Sequence, residues 1–287
     1  MTVLYITYDG LLDSLGSSQI LPYIKGISKH QEKVVIVSFE KSERLLQGKD
    51  ALLSDLQNYS IKWKPLPFTK GLGFIGKSWD LCRMYIMALT IARKHNIEVV
   101  HTRGHQPALV GLFIKHLTKA KFIFDFRGLW VDERVDKGGW DLNYFFHRLQ
   151  YRFFKRVERK LLIQSDHVVV LTHKVVNEII KLGATKKSNI TVIPCCANYN
   201  HFHLSTETDK INARISLGIP TDAFVLGYLG SMGKMYMLDK FFQLFVMATK
   251  NRANCHALLI TPDTDKLKQL MNRHLPHNLL QRIHIKS

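Results

Sequence analysis

Apolar, β-branched runs of strand length alternate along this chain with longer segments whose apolar residues recur every three or four positions. The runs fall near residues 2–8, 33–39, 60–65, 97–102, 121–126, 166–172 and 189–193, and the helical patterns near 18–30, 43–57, 77–95, 106–118, 141–164 and 174–183. Runs such as Val34-Val35-Ile36-Val37 and Val168-Val169-Val170-Leu171 lack polar alternation, which fits strands covered on both faces. Alternation of this kind predicts an α/β fold, a parallel sheet with helices on both sides.

Beyond Ile193-Pro194 the pattern lapses into Asn-, His-, Ser- and Thr-rich sequence as far as about Asp209, followed by a short helical pattern and Gly218-Ile219-Pro220. A second start then appears. A strand near 223–229 runs into Gly230-Ser231-Met232-Gly233-Lys234 and a helix from about Met237 to Thr249, with further strands near 255–260 and 282–286. It echoes the beginning of the chain, where the first strand runs into Asp9-Gly10 and Gly16-Ser17-Ser18. Two such starts predict two Rossmann-like domains facing each other across a cleft: a complete one over 1–205, a linker over 206–222, and a partial one over 223–287 with three strands.

Both glycine-rich loops join a strand to a helix, so backbone N–H groups and the positive end of a helix dipole point at whatever anion approaches. Ser17 or Ser18 would alternatively serve as an ordinary N-cap. Charge agrees with an anionic partner: 41 Lys and Arg stand against 23 Asp and Glu, a net +18. The cations are spread over many helices with no helix-turn-helix, zinc or aromatic ribonucleoprotein motif, so nucleic acid is not expected. No basic n-region precedes an apolar h-region, and stretches such as 107–114 fall far short of the roughly 20 residues a spanning helix needs. A cytosolic protein is expected. Cys195-Cys196 with His201 and His203 reads as a post-strand loop rather than a zinc site, because adjacent cysteines chelate poorly without a second pair.

The segment Asp125–Asp141 mixes acidic and basic residues with Trp130 and Trp140 at the carboxyl end of a buried strand, where open α/β sheets bind ligands. Arg127 could grip a phosphate or sugar carboxylate with its planar fork, Asp132 or Glu133 could accept from sugar hydroxyls, and a tryptophan face could stack on a pyranose. His101 and His105 flank a strand end near Arg103. Asp263-Thr264-Asp265 is expected to cap a helix through Asp263 rather than to hold a metal. On the helical pattern Leu142–Ile163, a largely aromatic stripe of Leu142, Phe145/Phe146, Leu149, Phe153, Val157 and Leu161 is expected to face the sheet, beside a basic stripe of Arg148, Arg152, Lys155 and Arg159 that would suit an anionic membrane surface or plain solvent.

Five motifs follow one another along the chain: Leu4-Tyr5-Ile6-Thr7-Tyr8-Asp9-Gly10 through Leu15-Gly16-Ser17-Ser18-Gln19, Phe124-Asp125-Phe126-Arg127-Gly128-Leu129-Trp130, Ser165-Asp166-His167-Val168, Val192-Ile193-Pro194, and Gly227-Tyr228-Leu229-Gly230. In order and spacing they resemble glycosyltransferase family 4, retaining enzymes of the GT-B fold, and most closely the members that build bacterial surface polysaccharides. The resemblance implies a nucleotide-sugar donor, a saccharide or lipid-linked acceptor, no metal or other cofactor, and a cytoplasmic enzyme peripheral at the inner face of the plasma membrane. It implies donor contacts from Gly16, Ser17, Gly230, Ser231, Gly233 and Lys234, and acceptor contacts from Arg103, Arg127, Asp132 and Glu133. Many members carry an Arg where Ser231 stands. The family's carboxylate-bearing catalytic segment is expected beyond Ser287, so the chain reads as a fragment or a natural truncation with little activity of its own. The alternative is a non-catalytic basic module of the same ancestry that binds a saccharide, a membrane surface or a partner chain.

Overall fold

A computed structural model of the chain describes every residue except 31, 184–186, 198, 200, 201, 203, 234 and 235, and only the backbone of residue 74. The chain divides into two compact units, Met1–Cys196 and Ala197–Ser287.

The first unit is built on seven parallel strands: β1 (Thr2–Thr7), β2 (Lys33–Glu40), β3 (Ile61–Pro67), β4 (Val99–Arg103), β5 (Lys121–Phe126), β6 (His167–Val170) and β7 (Ile190–Val192), in the order β3-β2-β1-β4-β5-β6-β7. Successive side chains of a strand point to opposite faces, and two cores result. Leu4, Ile6, Val35, Val37 and Phe124 pack on one side with Met84, Ile114, Leu161 and Leu162. Val3, Tyr5, Val34 and Ile36 pack on the other with Ile20, Ile24, Leu52 and Leu56. Each such side chain contributes about 1.5–3 kcal/mol when fully buried, which explains why both faces of these strands must read as apolar.

The helices between strands are α1 (Leu21–Lys29), α2 (Ser42–Gln57), α3 (Gly73–Lys94), α4 (His105–Leu117), α5 (Trp130–Asp136), α6 (Phe145–Gln164) and α7 (His173–Lys181). Strand order reverses between β1 and β4, which opens a crevice at their carboxyl ends. Two departures from the sequence reading fall at this edge. A π-helical turn, Gly16–Ile20, precedes α1. The pattern over 141–164 begins as a helix only at Phe145, and the separate short helix α5 precedes it.

A third departure concerns α6 itself. Phe145, Phe146, Leu149 and Phe153 are more than half exposed, and Leu161 and Leu162 do the packing near the other end. The aromatic stripe therefore does not face the sheet. α6 joins the core only through its second half, at Val157, Leu161 and Leu162.

The second unit has three parallel strands, β8 (Phe224–Leu229), β9 (Cys255–Ile260) and β10 (Ile283–Lys286), in the order β10-β9-β8. Its helices are α8 (Glu207–Ser216), α9 (Leu238–Asn251) and α10 (Thr264–His274), and its core joins Phe242, Phe245, Ala257, Leu259, Leu267 and Met271. A capping box begins α8: Thr206 accepts from the Asp209 amide, and the Asp209 carboxylate accepts in return from the Thr206 amide. Among the described residues, no helix is long and apolar enough to cross a membrane.

Candidate functional site

The loop after β1 is held from below by a buried carboxylate. Glu40, at the end of β2, accepts from the amides of Leu11 (2.7 Å) and Leu12 (3.2 Å) and from the Ser38 hydroxyl (2.6 Å). Ser38 in turn accepts from the Trp63 indole at 2.8 Å. Part of the anion-binding capacity of this loop is thus satisfied from within the protein. A Cβ on Gly16 would stand 2.0 Å from the Gly10 carbonyl oxygen, so glycine is required for the two turns of the loop to touch. Ser17 and Ser18 donate their hydroxyls to the Ser14 carbonyl, and neither caps the helix. The π-helical turn so fixed carries Gln19.

Gln19 is the hub of a charged cluster at the switch point. Its side-chain oxygen accepts from Arg103, at the end of β4, and from Arg127, just after β5, each at 3.0 Å. Arg103 lies 3.3 Å from Asp9 and 3.7 Å from Asp125, and Arg127 lies 3.5 Å from Asp125. Asp125 is buried, and its Oδ1 has no well-formed hydrogen bond. Burial raises its pKa above the usual carboxylate value, and the fields of Arg127 and Arg103 oppose that shift only in part. Behind it, His101 is fully enclosed, with its ring 4.9 Å from Tyr5, and burial assisted by Arg103 and Arg127 lowers its pKa to about 3. His101 is therefore a neutral wall rather than a titrating group.

Over this cluster lies a cavity of about 560 Å³, bordered by Tyr8, Asp9, Gln19, Arg103, Arg127 and Trp130. Gly104, at φ 82°, lets the chain turn between Arg103 and the start of α4 so that Arg103 and His105 both border it. His105 meets the wholly buried Glu158 at 2.9 Å, and Glu158 also holds Lys155 at 2.5 Å. Lys155 reaches Asp132 at 3.0 Å, and Asp132 accepts from the Tyr151 hydroxyl at 2.8 Å. Burial works against the charge on Lys155, but the hydrogen bonds to Glu158 and Asp132 outweigh it and raise its pKa. Lys155 is consequently part of an internal network and does not belong to the exposed basic stripe.

In the second unit the loop after β8 is braced from α10. Asp263 sits at the N-cap position of α10, yet its carboxylate accepts from the Met232 amide at 3.2 Å and makes no cap hydrogen bond. The expectation that Asp263 caps the helix is thus corrected: the loop amide lies within reach and takes the carboxylate. The Tyr228 hydroxyl donates to the Ser231 carbonyl at 2.8 Å.

The family profile described as Glycosyltransferase Family 4 matches residues 24–200, from within α1 to just past the end of the first unit at Cys196. The chain belongs to glycosyltransferase family 4. Among solved structures, this family 4 glycosyltransferase is similar to Anabaena Alr3699/HepE in complex with UDP and glucose, at 14% identity and a TM-score of 0.63 over 99% of this chain and 68% of that one. It is also similar to sucrose-phosphate synthase from Thermosynechococcus elongatus, at 14% identity and 0.65 over 100% and 70%. A third likeness is a glycosyltransferase from Rickettsia africae, at 17% and 0.63 over 99% and 67%. Identities this low establish a shared fold, two Rossmann-like units of the GT-B kind. No curated protein sequence matches the chain.

Of the acceptor residues expected from sequence, Arg103, Arg127 and Glu133 border the cavity, whereas Asp132 turns to Tyr151 and Lys155. Of the expected donor residues, Gly16 and Ser17 shape the turn that carries Gln19, and Gly230, Ser231 and Gly233 lie in the loop after β8. Lys234, like His201 and His203, falls outside the described residues. Sequence reasoning assigned no role to Gln19, Asp125 or Glu158. Two of them had a signal: a carboxylate inside Phe122-Ile123-Phe124-Asp125-Phe126, and one inside a basic helix, each standing where a charge needs a partner to be buried.

Proposed function

We propose that this glycosyltransferase moves a sugar, with retention at the anomeric carbon, from a nucleotide diphosphate sugar to a saccharide or lipid-linked acceptor in bacterial surface polysaccharide synthesis. The acceptor sugar occupies the cavity at the switch point. The carrying observation is the cluster of Arg103, Arg127, Asp125, Asp9 and Gln19, in which two guanidiniums balance two carboxylates. Such a cluster has no surplus charge for a phosphate, but it offers fixed donors and acceptors side by side, as sugar hydroxyls require. Trp130 supplies an apolar face beside it.

The donor diphosphate belongs to the Gly230–Gly233 loop with Lys234, where backbone amides and a cation stabilise the leaving group without a metal. The protein works at the inner face of the plasma membrane, and the support is α6, where Phe145, Phe146 and Leu149 are exposed beside Arg148, Arg152 and Arg156. A transfer assay over a panel of nucleotide sugars and acceptors, with the product anomer read by NMR, tests the whole reading. In an enzyme preparation that includes the family's carboxylate-bearing segment, transfer with retention is expected, and Arg127→Met should lower kcat/KM by about a hundredfold. An inverted anomer overturns the retaining mechanism, and unchanged turnover in Arg127→Met moves the acceptor site elsewhere.

A second reading, a binding module without turnover, is favoured by one observation. Asp263 already occupies the Met232 amide, in a loop where Ser231 replaces the Arg that many members carry. Calorimetry with UDP separates the two: heat from a saccharide acceptor and none from the nucleotide decides for the module.

A further inference from the structure

A second cavity, of about 420 Å³, adjoins the first and has a different character. Its walls are Leu81 and Met84 of α3, Leu109 of α4, and the rings of Trp130, Trp140 and Phe154. Those rings form one cluster: Trp140 stacks on Phe154 at 5.5 Å, and Trp130 meets both edge-on at 5.4 and 6.0 Å. The volume is that of a ligand pocket, and the lining is mostly apolar, with Lys77, Arg134 and Gln150 among its polar members. Phe153, which also borders it, is 56% exposed, so the cavity opens onto the exposed aromatic stripe of α6.

Two cations stand where the cavities meet, because Lys77 and Arg134 border both. Neither takes part in any ion pair among the described residues, in contrast to the charge-balanced Arg103 and Arg127. Arg134 lies over the Trp130 ring, 5.4 Å from its centroid, where the ring face supports the cation without neutralising it. In sequence along one path there are thus an apolar chamber, a pair of cations without a carboxylate partner among the described residues, and a polar chamber of sugar-binding character.

We infer that the apolar chamber is a lipid subsite: it takes the hydrocarbon chain of a single-chain lipid phosphate or diphosphate, whose phosphate rests on Lys77 and Arg134 while the sugar it carries reaches the Arg103–Arg127 cluster. The inference rests on the acceptor reading above and narrows it to a lipid-linked acceptor. Charge complementarity selects this occupant. A fatty alcohol would leave the two cations unused, and a free sugar phosphate would leave the aromatic chamber empty.

Direct binding tests the inference without any donor or turnover. Farnesyl diphosphate, pyrophosphate and farnesol are titrated into the full chain below their aggregation limits, by calorimetry and by the fluorescence of the tryptophans, two of whose four line the chamber. Farnesyl diphosphate is expected to bind at least about tenfold more tightly than either half-molecule, and to change the fluorescence. Lys77→Gln with Arg134→Gln should remove the advantage over farnesol, and Val157→Trp, which fills the chamber from α6, should remove the advantage over pyrophosphate; circular dichroism confirms that each variant is folded. Equal binding of pyrophosphate and farnesyl diphosphate by the unsubstituted chain overturns the lipid subsite, and so does farnesyl binding that Val157→Trp leaves intact, which would put the chain on the α6 surface. Sugar transfer to a water-soluble saccharide with no farnesyl diphosphate binding would overturn this inference and leave the transferase reading standing. Farnesyl diphosphate binding without transfer, in a preparation that includes the family's carboxylate-bearing segment, would do the converse.

Discussion

Single carboxylates decide much of this molecule, and they do so by being buried with their partners chosen. Glu40 satisfies two loop amides and a hydroxyl where water cannot reach, so Glu40→Ala should cost about 2–4 kcal/mol in urea unfolding, since each orphaned amide carries its own desolvation penalty. Asp80 is buried too, but hydrogen bonds from Thr69, Tyr8 and Arg83 outweigh the burial and lower its pKa. A depressed carboxylate contributes stability that is present above its unfolded pKa and lost as pH falls through its folded one. Asp80 therefore helps at neutral pH and fails only in acid below about pH 4. His101 acts in a higher window. Its folded pKa near 3 lies below the unfolded value of 6.5, so between those values the unfolded chain binds the extra proton and stability falls as pH falls. Melting temperatures of His101→Phe measured from pH 7 to pH 4 should decline less steeply than those of the unsubstituted chain. Parallel curves would mean that His101 charges in place.

At the scale of elements, α6 departs furthest from its sequence pattern. Its periodicity is amphipathic, and an apolar stripe usually marks the face toward the core. Here Leu161 and Leu162 fulfil that rule while Phe145, Phe146 and Leu149 remain in solvent, because only the second half of α6 lies against the core. Periodicity reports which residues share a face and not what that face meets. Arg148, Arg152 and Arg156 lie exposed on the same helix, whereas Lys155 is spent on Glu158 and Asp132. Replacing those three arginines by Gln should weaken cosedimentation with anionic vesicles severalfold at low salt, where screening is least, and Lys155→Gln should instead lower thermal stability. Binding that is unchanged at every salt concentration would make the arginines a plain solvated face. The π-helical turn is the other element that depends on one position. Gly16→Ala would drive a methyl into the Gly10 carbonyl, displace Gln19 and loosen both arginines, with a stability loss above about 2 kcal/mol expected in denaturant unfolding.

For the whole molecule, separate cores imply separable behaviour. The first unit has two apolar layers around its sheet and the second has its own cluster around Phe242 and Phe245. Between them the chain passes through exposed Tyr199 and Leu204. Limited proteolysis should cut first between β7 and α8, close to the boundary of the units, and yield two resistant fragments; resistance there, with first cuts within the strands and helices of either sheet, would contradict that division. The basic surplus is carried by both units nearly in proportion to their lengths and does not gather on the first, so salt dependence at α6 comes from local placement and not from a charged domain.

The sequence by itself determined the seven parallel strands of the first unit, the three of the second, the glycine loop at each start, and the family. All of these follow from local quantities: a run of β-branched residues is buried on both faces whatever it packs against, and a glycine loop between strand and helix has few alternatives. Tertiary structure alone decided that Gln19, from a turn near the start of the chain, lies between Arg103 and Arg127, and that Asp125 balances them. It also decided that Asp132 turns away to Lys155, that Asp263 leaves its helix end for the Met232 amide, and that the aromatic stripe of α6 stays in solvent. The physical reason is common to these cases. A charged or aromatic side chain has several partners of similar worth within reach of its neighbours in sequence, and only the fold, by bringing distant strand ends to one edge, makes one of them available.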